Sequence, residues 1–193
     1  MHKPFIIGIA GGTASGKSTF AEQLKAALPT LRVKLLQQDS YYLPQKKLPQ
    51  VQAPLSGKTY RDYNHPQSIE LDKLTRDIDK AKASSKYDVI IIEGVFVLQH
   101  LPIFEQLDLK LFVDCPADER IVRRLRRNMT WGLSFDEIAD FYLDLVRHRH
   151  DEFVEPTKHR ADMMINGSQP FDKAVQMIAE YVNVRADLHP PLQ

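Results

Sequence analysis

The most constraining stretch of this chain is Gly11-Gly12-Thr13-Ala14-Ser15-Gly16-Lys17-Ser18, followed by Thr19. It satisfies G-x-x-x-x-G-K-[ST], and it stands in the context that gives the pattern meaning. An apolar run at residues 5–10 precedes it, and Phe20, Ala21, Leu24, Ala27 and Leu28 recur after it at helical spacing until Pro29. A strand that turns into a helix through glycines can aim its backbone N–H groups inward, and the helix N-terminus adds a favourable dipole for an anion. The loop is therefore expected to cradle phosphates through residues 11–19, with Lys17 reaching the terminal ones and the Ser18 hydroxyl available to Mg²⁺. A chain built around this unit is expected to fold as an α/β P-loop NTPase.

The rest of the sequence extends the same architecture. Apolar runs of strand length at 33–37, 89–92, 109–113 and 163–165 alternate with helical patterns, which predicts a parallel sheet flanked by helices. Residues 68–84 read as a helix with Ile69, Leu71, Leu74 and Ile78 on one stripe. Pro116 opens another, in which Ile121, Val122 and Leu125 are expected opposite Arg120, Arg123, Arg124 and Arg127. Ser134 with Glu137 matches a capping box at the head of a helix carrying Ile138, Phe141 and Leu145, and a last helix follows Pro170. Residues 41–66 contain Pro44, Pro49, Pro54 and Pro66 without sustained period and read as a long functional loop. The whole, residues 1–193, is expected to be one domain, with a substrate-side loop at 41–66 and an arginine-rich, lid-like region at 116–150.

Composition narrows the class. With 43% hydrophobic residues in 193, the chain can bury a real core. It has no run of 18 apolar residues, and the first apolar run breaks at Gly11-Gly12 without a cleavage pattern, so neither a membrane span nor a secretory signal is expected. Cys115 is the only cysteine, which forbids an internal disulfide and makes a reducing, cytoplasmic setting the expectation. Lys and Arg number 26 against 25 Asp and Glu, so no global field recommends nucleic acid as a partner.

Local clusters then carry the chemistry. Asp39 follows the second apolar run, and in a parallel sheet the carboxyl end of a strand next to the phosphate loop is where ligands bind. An aspartate there either caps the turn or serves the reaction, by accepting a proton from an attacking hydroxyl or by holding Mg²⁺. Glu93 ends the run Val89-Ile90-Ile91-Ile92 and has the position of a Walker B carboxylate. Five arginines between Arg120 and Arg127, followed by Arg147, His148, Arg149 and His150, suit a polyphosphate. The histidines show no spacing that ties them to other metal ligands. No guanine-reading N-K-x-D occurs around Asn64, Asn128, Asn166 or Asn183, so a small-molecule kinase is favoured over a GTPase.

Several segments, in order, resemble the uridine kinase and phosphoribulokinase-like group of P-loop kinases. They are residues 8–18, Gln38-Asp39-Ser40-Tyr41-Tyr42, Tyr63-Asn64-His65-Pro66, Ile92-Glu93-Gly94, residues 111–114 with Ala117, Asp118 and Arg120, and residues 151–158 with Ala161-Asp162. The resemblance implies a nucleoside-kinase-like fold and transfer of the ATP γ-phosphate to a substrate hydroxyl. It implies catalytic roles for Asp39 and Lys17, with Mg²⁺ near Ser18, Glu93 and Asp39. Arg127 is then expected at the nucleotide, and Tyr41, Asp62, Tyr63, Asn64, His65, Arg123 and Arg124 at the acceptor. Homo-oligomers are common in the group.

Three departures bear on the acceptor. Asn64 stands where uridine kinases place an aspartate that binds the ribose diol, the nearest acid being Asp62. Residues 65–93 are too short for the hairpin that reads the pyrimidine, and Trp131-Gly132-Leu133 replaces an Arg-Gly-Arg lid pattern. Kinase chemistry survives these departures, while the source of uridine selectivity does not. The alternatives are a kinase for another alcohol, nicotinamide riboside-like or pantothenate-like, or a nucleotide-dependent switch.

Overall fold

The first apolar run becomes β1 (Phe5–Gly11) in the computed structural model, which describes residues 3–187. It continues through the phosphate loop into α1 (Lys17–Ala26) and returns as β2 (Val33–Gln37). A short antiparallel pair, β3 (Gln50–Gln52) and β4 (Thr59–Arg61), precedes α2 (Leu71–Ala83). Then come β5 (Val89–Glu93), the one-turn α3 (Leu101–Phe104), β6 (Leu109–Asp114) and α4 (Ala117–Met129). After α5 (Phe135–Phe141) the helix widens into a π turn at Tyr142–Val146, tightens at α6 (Arg147–Arg149) and widens again at His150–Val154. β7 (Met163–Asn166) and α7 (Asp172–Asp187) complete the described chain.

The five long strands form one parallel sheet of order β2-β5-β1-β6-β7, as the apolar runs predict. Alternation along each strand feeds two cores. Ile6 and Ala10 of β1 join Ile90 and Ile92 of β5 under Leu74 and Ile78 of α2. Ile7 and Ile9 join Val89 and Ile91 under Phe20 and Leu24 of α1 and Ile178 and Val182 of α7. Burial on both faces is why β5 reads Val-Ile-Ile-Ile instead of alternating. No helix among the described residues is long and apolar enough to cross a membrane.

The structure revises three local expectations. The second strand is not next to the first: β5 lies between them, with Glu93 in register with Ile9 on one side and Gln37 on the other. The strand buried along its whole length, β5, therefore lies between β1 and β2. Residues 41–66 are also not structureless. The pairs Gln50↔Arg61, Val51↔Tyr60 and Gln52↔Thr59 make a hairpin, with Gly57 at φ +71° in its turn. So small a ribbon is marginal alone, and it is held from outside: the Tyr60 ring meets Phe141 edge-on at 5.1 Å.

The third revision concerns α4. Val122 is 45% exposed while Arg120 is buried and Arg123 and Arg124 are half-buried alongside Ile121 and Leu125, so the inward side of this helix mixes basic and apolar residues. Arg120 and Arg124 turn towards the phosphate loop, which they touch at Gly12 and Thr13, and Arg127 stays exposed.

Candidate active site

The turn out of β1 reaches its helix through left-handed backbone at Ala14 (φ 60°) and Gly16 (φ 99°), the latter immediately preceding α1. This places Lys17 and Ser18 on the first helical turn. Lys17 is buried, and its ammonium forms no ion pair among the described residues. Burying a charge is costly unless it is paired, so the site favours an incoming anion. Ser18 Oγ donates to the Glu93 carboxylate, 3.1 Å from each oxygen. Burial raises the pKa of Glu93, Lys17 opposes the rise, and Asp39 adds to it, so these groups share one end of the sheet.

The loop is backed by α4. A Cβ on Gly12 would lie 2.7 Å from Arg120 Nη1 and 2.9 Å from His150 Cε1. Arg120 is anchored by Nε donating to the Cys115 carbonyl at 3.0 Å. His150 Nε2 pairs with Glu155 at 3.1 Å, and burial lowers the histidine's pKa, as does Arg120. Beside the loop opens a cavity of about 500 Å³, lined by Gly16, Lys17, Thr19, Arg123, Arg127 and the 167–172 segment.

From the loop a chain of contacts leads to residues 62–65. Arg124 Nη1 donates to Thr13 Oγ1 at 2.9 Å, and its buried Nε has no hydrogen-bond partner among the described residues. Burial lowers the Arg124 pKa to about 10, with neighbouring Arg127 in the same sense and Tyr42 and Tyr142 against it. The Tyr42 hydroxyl is held protonated by burial and by the charge of Asp39, which is itself exposed. Its ring meets Tyr63 edge-on at 5.4 Å. Asn64 and His65 follow, with His65 edge-on to Phe153 at 4.8 Å.

Three expected acceptor residues lie elsewhere. Tyr41 is buried against α2, where its hydroxyl donates to Asp77 at 3.0 Å; the turn that ends there sends Tyr41 and Tyr42 in different directions. Asp62 is 0% exposed and turned into the protein, accepting from Arg149 Nε at 2.7 Å and from the Asn64 backbone N–H at 2.8 Å. Arg123 donates to the Gly167 carbonyl at 2.8 Å and to Glu119 at 2.9 Å, on the wall of the cavity beside Lys17. Residues not singled out individually, Arg120, Arg149 and His150, are close-packed at the site. The i, i+4 spacing of Arg120 to Arg124 and the clustering of 147–150 are the only signals that mark them.

Comparison with known proteins agrees with this geometry. The pattern of the Phosphoribulokinase / Uridine kinase family matches residues 6–88 and 56–173. A uridine kinase of Staphylococcus aureus (strain JH9) is 37% identical over 188 residues, covering 86% of this chain and 88% of that one. A uridine kinase of Clostridium botulinum (strain Okra / Type B1) is 34% identical over 188 residues, covering 86% and 89%. The structure of a "Possible Uridine Kinase" from Bacillus stearothermophilus shares the fold at TM-score 0.52 and 21% identity, covering 86% of this chain and 90% of that one. A phosphate loop facing a strand-end glutamate, an arginine-lined helix beside it and relatives this similar over most of the chain lead to one conclusion: the chain belongs to the phosphoribulokinase and uridine kinase family of P-loop kinases.

Proposed function

We propose that this protein transfers the γ-phosphate of ATP to a hydroxyl of a nucleoside or a similar small metabolite, with Mg²⁺ as cofactor. The observation that carries the reading is the group Lys17, Ser18 and Glu93 at the phosphate loop, with Asp39 and Tyr42 at the same end of the sheet. The Ser18 hydroxyl and the Glu93 carboxylate are hard oxygen donors facing each other, which suits Mg²⁺, an ion usually held by one or two protein groups plus phosphates and water. Bound there, Mg²⁺ supplies positive charge to the phosphate oxygens.

The protein's own groups divide the remaining work. Backbone N–H groups of residues 11–19 and the Lys17 ammonium hold the phosphates, and Arg124, tied to Thr13, and Arg127 meet charge as it shifts during transfer. Arg123, on the cavity wall, goes with the nucleotide rather than the acceptor. Asp39 takes the proton of the attacking hydroxyl. Asn64, whose side-chain amide both donates and accepts, faces the acceptor together with Tyr42 and Tyr63. The loop at 41–66 forms the acceptor side, and residues 116–150 form the lid.

A second reading, another small alcohol such as a nicotinamide riboside-like or pantothenate-like molecule, has its own support. Between Asn64 and β5 the chain holds only a short turn, α2 and the connection after it, with no hairpin to hydrogen-bond a pyrimidine edge. A site rejects analogues strongly only when its own polar groups would be left unpaired, and here such groups have no visible source. The test is a panel of uridine, cytidine, nicotinamide riboside and pantothenate with MgATP, read by mass spectrometry of the phosphorylated product. Phosphorylation of one or more of them supports the reading, and exclusive use of uridine and cytidine removes the second one. ATP hydrolysis with no acceptor phosphorylated points instead to a switch protein.

A further inference from the structure

The acceptor loop is fastened to the widened helix at 135–154. Asp144, in the first π turn, accepts from Ser56 Oγ at 2.6 Å and Tyr60 OH at 2.9 Å. Arg149, just before the second, donates to Asp62 across 87 positions of sequence, and Phe153, inside it, takes the edge of His65. π turns re-aim side chains that a regular helix would point elsewhere, and they occur often at functional sites.

Among these fastenings the Asp62–Arg149 pair is distinctive. Asp62 is fully buried, and each of its oxygens has one partner: Oδ2 takes Arg149 Nε and Oδ1 takes the Asn64 N–H. Arg149 also donates to Glu152 at 2.6 Å and lies 5.5 Å from the Phe153 ring centroid. The Asn64 side-chain amide, by contrast, has no hydrogen-bond partner among the described residues. One residue of the pair therefore fixes the backbone that presents a free amide, and the other fixes that residue from a different element.

We propose that Asp62 and Arg149 are a positioning pair for the acceptor: they hold the turn that presents the Asn64 amide, so that acceptor affinity depends on the pair while nucleotide affinity does not. The inference rests on the kinase reading for the identity of the acceptor side. The physical ground is that a buried carboxylate with its cation removed is left uncompensated, and the turn it organises must rearrange to reach water. Asp62→Asn keeps an oxygen for the Asn64 N–H, whereas Arg149→Gln strands the charge. The second substitution is expected to be the more harmful, and the double variant less harmful than Arg149→Gln alone.

The experiment uses the full chain and two readouts. Amide hydrogen exchange at Asn64 is expected to accelerate on the order of ten-fold or more in Arg149→Gln, and less in Arg149→Lys, which keeps the cation. In steady-state kinetics with the acceptor from the panel that turns over fastest, KM for the acceptor is expected to rise on the order of ten-fold in Arg149→Gln, with KM for ATP and kcat within about three-fold of wild type. Unchanged exchange at Asn64, additive effects in the double variant, or equal rises in both KM values overturn the proposal. If wild-type protein binds no MgATP in a calorimetric titration, the kinase reading itself fails, and the exchange measurement alone decides whether the pair holds the turn.

Discussion

Ser18 Oγ lies 3.1 Å from both carboxylate oxygens of Glu93, joining residues 75 positions apart. The contact exists because β5 inserts beside β1, with Ile9 and Glu93 in register, so the strand after the phosphate loop in space is not the one after it in sequence. It sets a hydroxyl and a carboxylate against the phosphate loop, near a buried ammonium that forms no ion pair among the described residues.

Lys17→Ala removes that ammonium, which under the proposed function meets the charge redistributed during transfer. Turnover is expected to fall below detection and ATP affinity to weaken, with the circular dichroism spectrum retained. Wild-type kinetics in this variant would mean that the loop takes no part in the reaction.

Glu93→Gln separates stability from activity. Burial raises the pKa of Glu93 in the folded chain, so the folded state holds this proton more tightly than the unfolded state does. The sign follows: stability is greatest below the ordinary carboxyl value, falls as pH rises towards the raised value and stays reduced above it. The glutamine lacks this penalty, so Tm at neutral pH is expected to rise, by about 2–4 °C for each kcal/mol recovered, while activity falls and its Mg²⁺ requirement increases. A lower Tm at pH 7 with an unaltered Mg²⁺ dependence is the opposing result.

Asp39→Asn preserves size and hydrogen bonding but cannot accept a proton. ATP binding measured by calorimetry is expected to persist while phosphoryl transfer falls by roughly 10²- to 10⁴-fold. Loss of ATP affinity with turnover kept at saturation would make Asp39 a nucleotide or metal ligand.

Gly12→Ala introduces a Cβ at 2.7 Å from Arg120 Nη1 and 2.9 Å from His150 Cε1. Both neighbours are buried and tied, Arg120 to the Cys115 carbonyl and His150 to Glu155, so neither swings away freely. Overpacking of this kind costs about 1–3 kcal/mol. The expected outcome is a lower Tm together with a raised KM for ATP, and a variant with unchanged melting and kinetics would show that α4 does not brace the loop.

Much of this was legible in the sequence, for physical reasons that also mark where legibility ends. Strands such as 89–92 announce themselves because both faces are buried, and Glu93 stands out as a charge at the end of such a run. Strand order leaves no such trace, which is why β2 reads as the neighbour of β1. Tyr41 and Tyr42 are chemically alike, and only the turn geometry decides that the first packs on α2 and the second faces Asp39 and Arg124. Asp62 and Asn64, both expected at the acceptor, likewise part ways: the acid is engaged by Arg149, a partner 87 residues away that local pattern does not indicate, and the side-chain amide has no hydrogen-bond partner among the described residues. The hairpin at 50–61 is too short to show a period and is stabilised by Phe141 and Asp144 of another element.

Trp131 offers a direct optical test of the proposal that the cavity beside Lys17 takes the nucleotide. It is the only tryptophan, 67% exposed, and the Arg127 guanidinium lies 5.2 Å from its ring centroid while Arg127 also lines the cavity beside Lys17. A cation over an exposed indole gains about 0.5–1 kcal/mol, less than a charge-assisted bond to phosphate at about 1.5–3 kcal/mol, so bound nucleotide is expected to draw Arg127 off the ring. Tryptophan emission should then change on titration with MgATP, with a midpoint equal to the calorimetric Kd. Arg127→Ala should bind more weakly and lose most of the emission change, whereas Lys17→Ala should shift the midpoint and keep the amplitude at saturation. A full-sized change in Arg127→Ala would show that the indole senses the nucleotide by another route and that Arg127 does not move.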